Sequence, residues 1–343
     1  MATTIKDIAD LANVSLTTVS LVLNGRPGVS LETRERVLKL AHDMRYEKPG
    51  SGSGGSGNAA HGTIRFLKIA RHGHTVNRDH TVFISDYLDG ITHGARTHNL
   101  TIEISTFNAA PIDEVIESLR SSNDLQGAIV LGTELSRDDV CAFRAVPIPL
   151  LFLDTFIDFI AFDFVDMNNT DSVYRAIEHF VERGHTEIGM VRSSVQTRNF
   201  QLRYTGFIQT MKALSCPIHE RCIFDCDSTY DGAYEDMRTT IRSGARLPSA
   251  LFCTNDIIAY GVMKAIREAG YRIPDDVSII GFDDLPSSAL MDPPLTTIAV
   301  SKWEIGNAAV NRLTQRMLNR DSPAVKIVIG GQLIERNSVR DLT

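Results

Sequence analysis

Three apolar runs beyond residue 148 end on side chains that can hold hydroxyl groups. "PLLFLD" closes on Asp154, "ALFCT" is followed by Asn255 and Asp256, and "VSIIGFDD" closes on Asp283 and Asp284. Arg203 stands just ahead of Gly206 and Phe207 in "RYTGF". A carboxylate accepts two hydrogen bonds at once, whereas an amide and a guanidinium donate in fixed directions, so the set suits the vicinal hydroxyls of a sugar-like molecule. Taken singly, each residue also reads as a helix cap or a turn, Asn255 and Asp256 most plainly. Only the set points to a ligand.

A second polar group follows the run "TIRFLKIA". The segment "ARHGHTVNRDHTVF" gathers Arg71, His72, His74, Arg78 and His80. Planar Arg donors beside protonatable imidazoles suit a phosphate or a sugar acid, which makes Arg71 and Arg78 candidate contacts to an anion. The same charges also fit a solvated loop that meets no ligand. His-x-His spacing permits a metal, but no carboxylate–His pattern supports one, and neither metal nor cofactor is expected. Cys216, Cys222 and Cys226, with His219 among them, match no structural zinc spacing. Cys222, Phe224 and Cys226 alternate as one face of a strand would, which predicts core packing. The single Trp303 is expected to pack as well.

Positioning these residues requires a repeating scaffold. Strand-like runs, to which "LTIEIST", "GAIVLG" and "EIGMVR" also belong, alternate with helical patterns over 83–99, 112–121, 169–183, 202–214, 231–243, 257–269 and 303–318. Such alternation builds a parallel sheet covered on both faces. The strands are too many for one modest sheet, so two doubly wound halves are predicted, with ligands at the carboxyl ends of the strands. No G-x-G-x-x-G follows a strand-like run, and no P-loop, G-x-S-x-G or H-E-x-x-H occurs, which argues against an enzyme of the nucleotide-dependent, hydrolase or metalloprotease kinds.

The first 49 residues differ in kind. Three short helical patterns occupy 4–46: Ile5, Ile8, Ala9 and Ala12 share one face, Ser15 caps a second helix with Val19, Val22 and Leu23 inward, and Ser30 caps a third with Val37, Leu38 and Ala41. Two short helices around a tight turn make a helix-turn-helix, whose second helix can enter a DNA major groove; a plain three-helix packing unit has the same periodicity. The net charge of −7 over 343 residues speaks against nucleic acid. It is unevenly placed, however: residues 1–49 hold seven basic and six acidic side chains, leaving 28 and 36 to the other 294. Five cysteines, an odd number, fit a reducing compartment, and with no apolar run long enough for a membrane span and no secretory leader pattern the expected location is the cytoplasm.

Residues 4–46, including "VSLTTVSLVLN" and "VSLETRERV", resemble the DNA-binding headpiece of the lactose/galactose repressor family almost position by position. By that resemblance Ser15, Leu16, Thr17, Thr18, Ser20 and Asn24 face the groove or the DNA backbone, and Ile5, Ser30, Thr33 and Tyr46 touch the phosphate edge. Many members carry an Arg where this chain has Leu21, so one bidentate guanine contact is absent. Further on, "EHFVERGHTEIGMV", "RYTGF", "LFCTNDIIAYGVMKAIREAGYRIPDDVSIIGFDD" and "QLIERNSV" resemble the effector-binding core of the same repressors, whose fold is that of type I periplasmic sugar-binding proteins. The likeness implies an N-subdomain of about 63–166 and 300–325, a C-subdomain of about 167–299 and 326–343, three crossovers, and an effector in the cleft touched by Asp154, Arg203, Asn255 and Asp283. Phe83 and Phe207 are implied as apolar walls.

The expected protein is thus a transcriptional regulator, a repressor: a homodimer on a near-palindromic operator, with a sugar-like effector, anionic in one reading, that changes the angle between subdomains. A periplasmic-type carrier would have a leader and no headpiece, and a sugar-modifying enzyme would need a nucleophile or acid–base pair in the cleft. Between headpiece and core, residues 50–62 stand where the family has a hinge helix with a leucine wedge. Here "GSGSGGSG" contains five glycines, which cost a helix about 4–5 kcal/mol, and no leucine. Whether a natural variant or an introduced linker, a coil of this composition has an r.m.s. reach of about 16 Å and should transmit little of a subdomain rotation.

Overall fold

The computed structural model describes residues 5–12, 14–23, 29, 33, 36–37, 40 and 62–343, in two compact units divided between Ala59 and Ala60. In the first unit, helices α1 (Ile5–Ala12) and α2 (Leu16–Leu23) bury Ile8, Ala9, Ala12, Val19 and Val22 together with Val37. Val14 N–H donates to the Ala9 carbonyl at 3.0 Å, closing α1, and Ser15 Oγ accepts the Thr18 N–H at 3.1 Å, capping α2. Asn24, Ser30, Tyr46 and the Gly/Ser segment lie outside the described residues, as do the side chains of Ile5 and Ser20.

The second unit holds two six-stranded sheets. The first contains β1 (Gly62–Ala70), β2 (Leu100–Asn108), β3 (Leu125–Leu131), β4 (Leu150–Leu153), β5 (Asp163–Met167) and β11 (Lys326–Ile329), ordered β11-β5-β4-β3-β1-β2. The second contains β6 (Ile188–Ser193), β7 (Ile223–Cys226), β8 (Ala250–Cys253), β9 (Ser278–Asp283), β10 (Thr296–Ala299) and β12 (Gln332–Ile334), ordered β12-β10-β9-β8-β6-β7. Only β10 and β12 run antiparallel among these pairs. Helices α3 (Thr81–Thr97), α4 (Ile112–Arg120), α5 (Arg137–Ala142), α6 (Asn169–Glu182), α7 (Arg198–Ala213), α8 (Tyr230–Arg242), α9 (Asp256–Glu268) and α10 (Lys302–Leu318) connect the strands. Cover on both faces is why β4, β8 and β9 are buried at every position.

The chain passes between the halves three times, through α6, through α10 and at Gly330 and Gly331. On its return α10 packs against α3 with glycine on each side: a Cβ on Gly90 would run into the Trp303 carbonyl, and one on Gly306 into that of Tyr87. The last passage corrects the expected subdomain boundary, because residues 326–329 belong to the first half. Lys326 lies opposite Phe164, and this edge strand satisfies β5, with Phe164 N–H on the Val325 carbonyl at 2.9 Å and Asn168 N–H on that of Ile329 at 2.7 Å. Gly331 then threads a gap where a Cβ would meet Ile298 and Ser172 at 2.8 Å.

Phe224 and Cys226 of β7, with Cys222 just before it, are buried. Trp303 remains 39% exposed, its ring 4.9 Å from that of His93. Among the described residues no helix is long and apolar enough to cross a membrane.

Candidate functional site

The two sheets point the carboxyl ends of β4, β8 and β9 at one cavity of about 40 Å³, and the expected Asp154, Asn255 and Asp283 line it together with Arg203 and Phe83. Asp154 and Asp283 both take positive φ, 60° and 121°, where the chain turns sharply off its strand. Asn255 caps α9 by accepting the Ile258 N–H at 2.8 Å. Its neighbour Asp256 lies beneath, accepting from Leu285 N–H, Ser288 and Thr297, and Asp284 pairs with Arg336 at 2.8 Å. Phe207, one turn beyond Arg203, is buried in the core and is not in the cavity wall.

The cavity is rich in carboxyl groups and poor in available cation. Asp154 accepts from Tyr87 Oη at 2.9 Å, from Thr133 Oγ1, and from Asn199 Nδ2 at 3.1 Å. Burial raises its pKa against those donors, and burial together with the Asp154 charge raises that of nearby Asp166. Burial pushes Asp283 up to about 8 in spite of Arg203, whose Nη2 lies 3.7 Å from Oδ1. That oxygen is buried and accepts no hydrogen bond. Arg203 meanwhile donates to Asn169 Oδ1 at 2.9 Å, to the Thr254 carbonyl and to Met167 Sδ, and its guanidinium lies 3.7 Å over the Phe282 ring.

The histidine-rich loop is organised around an anion belonging to the chain itself. Glu134 accepts the N–H groups of Arg71, His72, Gly73, Thr75 and Val76 at 2.7–2.9 Å, and the Thr75 hydroxyl at 2.9 Å. Burial opposes its ionisation, but the N–H groups of Gly73, Thr75, Val76 and His72 outweigh burial and hold it at about 2. Arg71 reaches the Ala110 carbonyl at 2.6 Å and Asp139 at 3.4 Å, and Arg78 is exposed beside Asp79; neither lines the cavity. His80 does. Burial lowers its pKa to about 4, against the charges of Asp79 and Glu134, so the ring is neutral at pH 7. Asn255 Oδ1 is occupied by its cap, so Nδ2 donates to His80 Nε2 at 3.2 Å, and the proton on Nδ1 faces Asn77 Oδ1 at 3.1 Å. This contact joins the halves, as does His74 Nδ1 with Asp227 Oδ2 at 2.9 Å.

Thr75, Ile84, Thr133, Thr197, Asn199 and Phe200 complete the lining, and sequence reasoning did not single them out. Asn199 was within reach: it precedes Arg203 by four residues and so shares its helix face.

In the first unit, Leu16 and Thr17 are exposed at the start of α2 while Thr18 is half-buried, its hydroxyl 2.8 Å from Ser15 Oγ; Thr33 is half-buried. The helix start thus offers an apolar side chain and the exposed hydroxyl of Thr17, while that of Ser15 is taken up in the cap.

Comparison with known proteins follows the same division. Residues 4–48 match the family described as bacterial regulatory proteins, lacI family, and residues 177–339 match a periplasmic binding protein-like domain. The chain is 30% identical over 348 residues to the HTH-type transcriptional repressor PurR of Haemophilus influenzae strain PittEE, covering 99% of each, and 29% identical to that of Pasteurella multocida strain Pm70, covering 98% of each. In fold it is similar to a transcriptional regulator CelR–cellobiose complex (TM-score 0.72, 21% identity, 98% of this chain and 99% of that one). It is also similar to the lac repressor dimer bound to operator and the anti-inducer ONPF (TM-score 0.71, 23% identity, 99% and 100%).

Proposed function

The chain belongs to the lacI family of bacterial regulatory proteins, and from that premise we propose that an uncharged polyol held between its two subdomains governs its affinity for an operator. It is a DNA-binding transcriptional repressor with a small-molecule effector, acting as a dimer on operator DNA. Residues 1–49 are the headpiece, 50–62 a linker in place of the hinge helix, and the rest the effector-binding and dimerisation domain. Leu16, Thr17 and Thr18 are our candidates for the groove, and no catalytic turnover of the effector is expected.

The observation that carries the effector reading is the buried, unsatisfied Oδ1 of Asp283 in a cavity shared with Asp154, Asn255 and Arg203. A hydroxyl donor supplies what that oxygen lacks. An anion would meet two carboxyl groups and an Arg203 already bonded to Asn169, Thr254 and Met167. The cellobiose of CelR gives the polyol class independent support. A thermal-shift series of neutral sugars, sugar phosphates and sugar acids is expected to give stabilisation by neutral members alone. Stabilisation confined to phosphorylated sugars, and lost in Arg71→Ala or Arg78→Ala, would reverse the reading.

A further inference from the structure

A larger chamber of about 600 Å³ adjoins the cavity, with Thr133 and Thr197 in the walls of both. The inner cavity, at about 40 Å³, has room for about three water molecules, less than a sugar ring needs. A ligand that reaches Asp283 must therefore extend toward the chamber. On the chamber wall stands Phe159, 94% exposed and at φ 60°. A bulky residue is uncommon in the left-handed region, and a phenyl ring left in water adds a second cost.

The loop that presents Phe159 is tied down from both halves. Arg137 of α5 donates to the Asp158 carbonyl at 2.9 Å. Arg198 of α7 donates to Asp158 Oδ2 at 2.8 Å and to the Phe156 carbonyl at 3.1 Å. Held this way, the ring forms a fixed apolar surface, and Gln196 and Gln201 stand in the same chamber with amides that both donate and accept. A flat apolar face with amides around it fits a pyranose, which has an apolar C–H face and a hydroxyl rim.

We propose that the effector consists of at least two linked sugar rings, the inner one seated at the mouth of the inner cavity with hydroxyls reaching Asp154, Asn255 and Asp283, and the outer one stacked on Phe159 with its hydroxyls on Gln196 and Gln201. This rests on the polyol reading above. Isothermal titration of the full chain with glucose, galactose, cellobiose, lactose and maltose tests it. One disaccharide is expected to bind at least about tenfold more tightly than its component monosaccharide. Phe159→Ala should remove that advantage without altering monosaccharide binding, and Phe159→Tyr should keep it. Equal affinity for the disaccharide and its monosaccharide, or a Phe159→Ala protein that binds the disaccharide normally, would overturn the two-ring proposal and leave the polyol reading standing. Binding of none of these five sugars would count against both.

Discussion

Asp283 holds its carboxyl group where ionisation is unfavourable, buried and lacking a hydrogen bond to Oδ1, with a pKa near 8 against an ordinary 3.8. Between those values the unfolded chain gives up the proton and the folded chain keeps it, so this residue lowers stability as pH rises through the window. Asp283→Asn removes the effect. Its stability relative to the parent should therefore improve from about pH 5 to about pH 8 in urea denaturation, and a constant difference would contradict the assignment. Hydroxyl donors favour the carboxylate form, so effector affinity should rise over the same range with release of a proton, measurable by calorimetry in buffers of different ionisation heat. Asp154, Asn255 and Asp283 were legible because each ends an apolar run. Tyr87 was not, because its reason for being polar is Asp154, 67 residues away in the chain.

Among the elements, the loop after β1 depends on a single acceptor. Glu134→Gln replaces an anion by an amide whose own N–H₂ faces donors, an exchange expected to cost about 1–3 kcal/mol. Amide exchange at residues 72–76 should accelerate in that variant while β3 stays protected; an unchanged loop would show that the carboxylate does not hold it. The parent should lose this support as pH falls from the ordinary carboxylate value toward about 2. The sequence marked the loop for its cationic side chains, whereas its main-chain N–H groups do the anion binding, and no composition rule reveals where their acceptor lies. β5 escaped for a related reason. Asp163 and Asp166 interrupt its apolar pattern, and only the fold brings Arg312 and Arg316 to within 2.9 Å and 2.8 Å of Asp163. The long central strands and the helices between them were legible because burial on both faces leaves unbroken apolar runs.

At the scale of the whole molecule, the composition of residues 50–57 sets an expectation for control. Effector should change operator affinity by less than about fivefold, the low end of ordinary coupling between sites, in anisotropy titrations with and without the sugar. A fiftyfold change would refute a weakly transmitting linker. The two halves of the core are meanwhile joined near the cavity by Arg198 with Asp158, side chains that remain partly exposed. Mobile ions can reach such pairs, and at physiological ionic strength screening acts over about 8 Å. An effector without charge would then acquire a salt dependence, held less firmly in concentrated electrolyte because its enclosure, and not the ligand, is what the ions weaken.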